Sequence, residues 1–188
     1  MNGPRLGKCS DLTRWATVSG STKVLSNDYL KLEAVSRISP RTGQSGIFEY
    51  LNLPNWVNVI ARTNDDAVVF VQQYRHGVDE IVTELPAGSV EHGEQPGNAA
   101  ARELLEETGY VGDAPSCLGS ILPNPAIQNN ILSTWLVTSA ERISRPIPDA
   151  YEHIEVVTVP ISAITDFIRS GHIRNALTIA AIHLFFMG

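Results

Sequence analysis

An α+β fold, one main domain with a small all-β appendage, is what this 188-residue sequence predicts. Three observations carry that expectation. Short apolar or alternating runs bounded by Gly, Pro and Asn/Asp fill the first half. One amphipathic run at residues 96–108 has helical periodicity. Further strand-like runs follow, and two helical runs close the chain. Strands, helix, strands, helices in that order argue for segregated layers and not for a regular βαβ repeat.

Residues 1–14 have charge but no apolar stretch of signal-peptide length and read as a flexible N-terminus. Residues 15–53 carry the runs TKVLS, YLKLEAVSRI and GIFEYLNL, broken by Asn27-Asp28 and by Pro40–Gly46, which predict a small antiparallel unit. The main domain is expected over 54–188. Trp56–Arg62 and Ala67–Tyr74 flank Asn64-Asp65-Asp66, a hairpin signal. Ile81–Leu85 is a further strand, ended by Pro86-Ala87-Gly88. In the 96–108 helix Pro96 suits the first turn and Gly109 the C-terminal cap, with Ala100, Leu104 and Leu105 on the apolar side. Strands are expected at Cys117–Leu122, Ile131–Thr138 and Ile154–Val159, and helices at Ser162–Ser170 and Ala176–Phe186. Trp15, Trp56 and Trp135 are expected in the core.

Composition excludes several classes. A formal net charge of −6 with no Lys/Arg run argues against a nucleic-acid surface, which needs a basic patch. No stretch approaches the roughly 18 apolar residues of a membrane span. The two cysteines, Cys9 and Cys117, form neither a CxxC pair nor a Cys/His cluster, so a structural zinc site is not expected. A cytoplasmic protein is the expectation.

The chemistry concentrates in GSVEHGEQPGNAAARELLEETGY, residues 88–110. Glu103, Glu106 and Glu107 stand at i, i+3 and i+4, on one face of the predicted helix. Like charges so spaced cost an isolated helix about 0.2–0.5 kcal/mol per pair. A hard cation relieves that repulsion, because Mg²⁺ and Mn²⁺ take oxygen ligands and a helix holds carboxylates one turn apart. The alternative is a solvated acidic face in which Arg102 pairs with Glu106.

Gly88, five residues, Glu94, seven residues, then Arg102-Glu103-Leu104-Leu105-Glu106-Glu107-Thr108-Gly109-Tyr110 resembles the Nudix box at every defined position. Tyr110 stands where the family usually has an aliphatic residue. Residues 56–88, with QYR and ELPAG, resemble the ADP-ribose pyrophosphatase branch, as do Pro125, 15 residues past Tyr110, and residues 149–186. The resemblance implies a Nudix fold, an α/β/α sandwich with a mixed sheet, preceded by the small β unit over 15–53. It implies Mg²⁺-dependent hydrolysis of a nucleoside diphosphate sugar, ADP-ribose or a relative, to a nucleoside monophosphate and a sugar phosphate, with Mn²⁺ as a possible substitute. It also implies a homodimer.

Residue by residue, the resemblance gives Glu103, Glu107 and the Ala87 carbonyl as metal ligands, with Glu106 a further ligand and catalytic candidate. Gly88, Glu94, Arg102 and Gly109 shape the box. Glu152 falls on the loop ligand position. The catalytic-base glutamate of relatives falls on Ala150, so Glu152 is assigned the base or ligand role, while Glu155 reads as a solvent-facing strand residue. Arg75 is a phosphate-binding candidate, with an ion pair to Glu84 as the alternative. Tyr29 and Phe48 match the adenine-stacking positions, with ordinary strand packing as the alternative. Pro125 opens the segment expected to meet the terminal sugar. There Ala126, Gln128, Asn129 and Asn130 replace the glycine and acidic residue of ADP-ribose enzymes. GDP-mannose and other nucleoside diphosphate derivatives therefore stand as alternatives, beside a non-catalytic nucleotide-sensing module.

Overall fold

The computed structural model describes residues 14–26, 30–147 and 153–188. These sort into two compact units: the described residues of Met1–Leu53 with Asn124–Asn129, and Pro54–Pro123 with Asn130–Gly188.

The first unit is a four-stranded antiparallel sheet of β1 (Ala16–Thr17), β2 (Thr22–Ser26), β3 (Lys31–Ile38) and β4 (Ser45–Asn52). β3 is central: β4 pairs with its whole length, while β1 and β2 share its other edge. On one face Glu33 accepts from Tyr50 Oη at 2.7 Å and from Asn52 Nδ2 at 2.8 Å. These bonds, Asn52's foremost, pull the Glu33 carboxyl down to about 2. Trp15 is not core as expected. It is 39% exposed, edge-on to Phe48 with ring centroids 5.3 Å apart, because the described strands of this unit form a single sheet layer.

The second unit holds an eight-stranded mixed sheet: β5 (Trp56–Thr63), β6 (Ala67–Arg75), β7 (Glu80–Glu84), β8 (Ala87–Ser89), β9 (Tyr110–Val111), β10 (Ser116–Ile121), β11 (Leu132–Arg142) and β12 (Ile154–Pro160). The spatial order is β10-β11-β5-β6-β12, with β7 on β6, β8 on β5 and β9 on β11. β11 runs parallel to β5, and the other pairs are antiparallel.

Helix α1 (Pro96–Thr108) covers one face, and α2 (Ile164–Arg169), entered through a 3-10 turn at Ile161–Ala163, and α3 (Ala176–Met187) cover the other. β5 and β6 are therefore buried on both sides and read as continuous apolar runs, not as alternation. Val57, Val59, Ala61 and Val69 pack against Ala99, Ala100 and Leu104 of α1. Ile60, Val68 and Phe70 pack against Ile164, Ile173, Ala181 and Ile182. Each such large side chain contributes about 1.5–3 kcal/mol on burial.

Several boundaries differ from expectation. Pro86-Ala87-Gly88 does not simply end a strand but leads into β8, and β9 and β1 were not foreseen. β11 extends to Arg142. The helix expected at Ser162–Ser170 starts with the 3-10 turn and is α-helical only over Ile164–Arg169. No helix among the described residues is long and apolar enough to cross a membrane.

Candidate active site

β5 meets β6 at only one pair, Arg62 with Val68, so the Trp56 end of β5 is free to take β8. Register then places Ser89, Gly88 and Ala87 opposite Trp56, Val57 and Asn58. α1 lies over this corner. The buried Glu107 carboxylate accepts from the Ala87 N–H at 2.9 Å. A Cβ at Gly88 would fall on the Glu103 carboxylate. Gly88 is thus required for space and not for a left-handed backbone, since its φ is not positive. Gly109 has the other reason: at φ 74° it caps α1, its N–H donating to Leu105 O at 2.8 Å.

Gly88→Ala is accordingly expected to separate fold from function. The Glu103 carboxylate can swing aside, and the substitution restricts the unfolded chain. The melting temperature should move by a few degrees at most, while turnover falls about 10²-fold because Glu103 no longer faces the loop. Calorimetric scanning beside an activity assay checks both halves, and retained turnover would contradict the role given to Glu103.

Arg102 braces the corner. Its Nε and Nη2 donate to the two Glu94 oxygens at 3.0 Å each, Nη2 also to Ser89 O at 3.0 Å, and Nη1 to Glu103 at 2.8 Å and Glu106 at 3.0 Å. Bonding to Arg102 holds the Glu94 carboxyl below the usual carboxylate range. The Glu106 side chain is 48% exposed and the Glu103 side chain 14%, so Glu106 is the rim and Glu103 the floor of the acid cluster. At the C-terminal end of the helix, Ile147 N–H donates to Glu106 O at 2.8 Å, and Ile143 N–H to Gly109 O at 2.9 Å.

Arg75 forms the ion pair that sequence reasoning held as the alternative. Its Nη2 lies 2.6 Å from Glu84 Oε2, with Nε at 3.1 Å. Glu84 is buried and also accepts from Asn175 Nδ2 at 2.9 Å. Asn175 in turn caps α3 by accepting from Thr178 N–H. Sequence reasoning missed Asn175; its signal was an N-cap residue type just before a helical run.

Ala87, Gly88, Glu94, Arg102, Glu103, Glu106, Glu107 and Gly109 are therefore brought together. Arg75 stands on β6 in the same unit. Phe48 lies in the first unit, and Pro125 is exposed in the 124–129 segment of that unit. Tyr29, Ala150 and Glu152 lie outside the described residues. The flanks of the last two are fixed, at Ile147 by Glu106 O and at Ile154 by pairing with Gln73 of β6.

Among the described residues no three His, Cys, Asp or Glu side chains are grouped to hold a metal by themselves. The donors at the corner are two carboxylates one helical turn apart over a main-chain segment. The cradle at Gly88, which a Cβ would fill, leaves the Glu103 carboxylate against that segment. An all-oxygen donor set of this kind suits a hard divalent cation.

The NUDIX domain family model matches residues 53–177. The chain is 29% identical over 161 residues to the methanol dehydrogenase activator of Bacillus methanolicus, covering 85% of this chain and 86% of that one. It is 28% identical to the ADP-ribose pyrophosphatase of Bacillus subtilis (strain 168), covering 74% and 76%. It is also 28% identical to the ADP-sugar pyrophosphatase of Mus musculus, covering 76% and 72%. A crystal structure of an ADP compounds hydrolase shares the fold with a TM-score of 0.81, at 18% identity and 94% coverage of both chains.

Proposed function

The chain belongs to the NUDIX family, a Nudix hydrolase, and on that premise we propose that it cleaves the pyrophosphate of ADP-ribose or a related nucleoside diphosphate sugar, with Mg²⁺, into a nucleoside monophosphate and a sugar phosphate. The observation that carries this is the shared footing of two carboxylates on one dipeptide: Glu107 on the Ala87 N–H and Glu103 over Gly88. Glu103, Glu107 and the Ala87 carbonyl would hold the ion, with Glu106 at the rim. When bound, Mg²⁺ supplies charge neutralisation of the diphosphate and a lowered pKa for attacking water.

The chain's own residues do the positioning. Arg102 fixes the loop and turns Glu103 inward. Arg75, its guanidinium plane set by Glu84, presents its exposed side to a phosphate oxygen. Glu152 takes the attacking water's proton or completes the ligand set. Phe48, with Trp15 edge-on beside it, offers a face for a nucleobase, and Tyr29 is a second such residue. Pro125 starts the segment that meets the distal sugar.

A homodimer is part of the proposal. Ile47, Leu25 and Val18 of the first unit are 75%, 58% and 54% exposed, and edge strands invite pairing. Sedimentation as a monomer would remove that part.

A panel of ADP-ribose, GDP-mannose and UDP-sugars with Mg²⁺ or Mn²⁺, scored for monophosphate release, tests the activity and selects the substrate. ADP-ribose is expected to be cleaved. Absence of release from every member at saturating metal would overturn the proposal.

A further inference from the structure

The first turn of α3 bonds outward, to the chain that leads into Ala87 and Gly88. In a capping box the third helical residue is Glu or Gln, and its side chain returns to the cap. Thr178 holds that position here. It is buried, and its hydroxyl turns away from the cap to accept from Leu85 N–H at 3.2 Å. Leu85 is also buried and follows Glu84, the last residue of β7 to pair with β6. Thr178 thus supplies an acceptor where the strand ladder stops.

The cap residue is equally specific. Asn175 Oδ1 accepts from Thr178 N–H at 2.9 Å, while Nδ2 donates to Glu84 Oε1 at 2.9 Å. Serine and aspartate cap about as well as asparagine. Serine is too short to reach Glu84, and aspartate would set a second carboxylate against it. Only the amide caps the helix and feeds the carboxylate together. Glu84 in turn holds the Arg75 guanidinium at 2.6 Å.

One helical turn therefore holds the consecutive residues Glu84 and Leu85. Pro86 follows, its carbonyl accepting from Val59 N–H at 2.9 Å, and then Ala87, whose N–H bonds Glu107. The proline ring locks φ, so little slack separates the Leu85 anchor from the Ala87 carbonyl. Asn58, in register with Ala87 on β5, reaches Leu177 O of the same turn at 3.5 Å.

We propose that Thr178 and Asn175 are positioning residues for the reaction. Thr178 fixes the main chain that ends in the Ala87 carbonyl, and Asn175 fixes Glu84 and with it the plane of Arg75. This rests on the hydrolase activity proposed above, in which Ala87 holds the ion and Arg75 meets a phosphate. Loss of either side chain acts on metal or substrate affinity and not on the chemical step.

The test pairs kinetics with amide hydrogen exchange on the full chain. Thr178→Val keeps the shape and deletes the acceptor. Exchange at the Leu85 amide should rise about five- to tenfold, the scale of one lost hydrogen bond. The Mg²⁺ needed for half-maximal turnover of ADP-ribose should rise by a similar factor, with kcat at saturating Mg²⁺ within about twofold. Thr178→Ser, which keeps the hydroxyl, should restore both. Asn175→Ser keeps a cap but loses the Glu84 bond. It should raise KM for ADP-ribose about fivefold and leave Leu85 exchange as in the parent. If Thr178→Val frees the Leu85 amide yet leaves the Mg²⁺ requirement unchanged, the role of Thr178 is overturned. An unchanged KM in Asn175→Ser overturns that of Asn175. Should the parent cleave none of the nucleotide sugars, the activity itself has failed and Leu85 exchange decides. Faster exchange in Thr178→Val with parent-like exchange in Thr178→Ser then supports the anchor, and equal rates in all three overturn it.

Discussion

Glu107→Gln is expected to fold as the parent does and to lose about three orders of magnitude in kcat/KM, some 4 kcal/mol of transition-state stabilisation. The carboxamide oxygen can still accept from Ala87 N–H, so the contact that seats α1 on β8 survives. What goes is a negative charge and a hard oxygen donor at the most buried position of the cluster. Glu94, Glu103, Glu106 and Glu107 crowd one corner, and Arg102 bonds the first three. Removing one charge relieves repulsion in metal-free protein, so the melting temperature without Mg²⁺ should rise. The parent should instead gain stability with added Mg²⁺, by mass action on the folded state, and the variant should gain much less. Thermal scans with and without Mg²⁺, beside turnover, read both effects. Equal Mg²⁺-dependent stabilisation in parent and variant would remove Glu107 from the ligand set.

How much of this was legible in the sequence depends on the range of the interaction. The box was legible because its partners are local: Glu94 and Arg102 are eight residues apart, and Glu103 and Glu107 one turn apart on a helix marked by Pro96 and Gly109. β8 was not legible. Pro86-Ala87-Gly88 has the composition of a strand breaker, and its partner is the end of β5 left open where β6 diverges, a vacancy that local propensity does not reveal. The side-chain bonds of Asn55 to Ile131 N–H and of Asn129 to Leu53 N–H were hidden for the same reason, each partner lying 76 residues away. Trp15 misled because a tryptophan in a strand-rich stretch ordinarily finds a second layer to bury it, and the described strands of the first unit form one sheet. Glu84 was weighed as a partner of Arg75 beside phosphate binding, and the structure shows that pair. Asn175, on the far side of that carboxylate, comes from a helix 91 residues on.

Arg102→Lys asks whether the cluster needs a charge or a shape. Lysine keeps the positive charge in the same place. If neutralising the carboxylates were all that mattered, activity would survive. Arginine instead makes five bonds in fixed directions, to both oxygens of Glu94, to Ser89 O, to Glu103 and to Glu106. An ammonium has three donors at one point and cannot span acceptors on the loop and on the helix together. Glu94 would lose its bidentate clamp, the 89–94 loop its tie to α1, and Glu103 the bond that orients it over Gly88. The expected loss is about 10–100-fold in kcat/KM, the range for residues that orient metal ligands. The pairs are partly solvated, so stability should change little. Part of the loss should return at high Mg²⁺, because a misdirected Glu103 weakens metal binding before it alters chemistry. A lysine variant indistinguishable from the parent across a Mg²⁺ titration would mean that charge suffices and that the fork geometry is incidental.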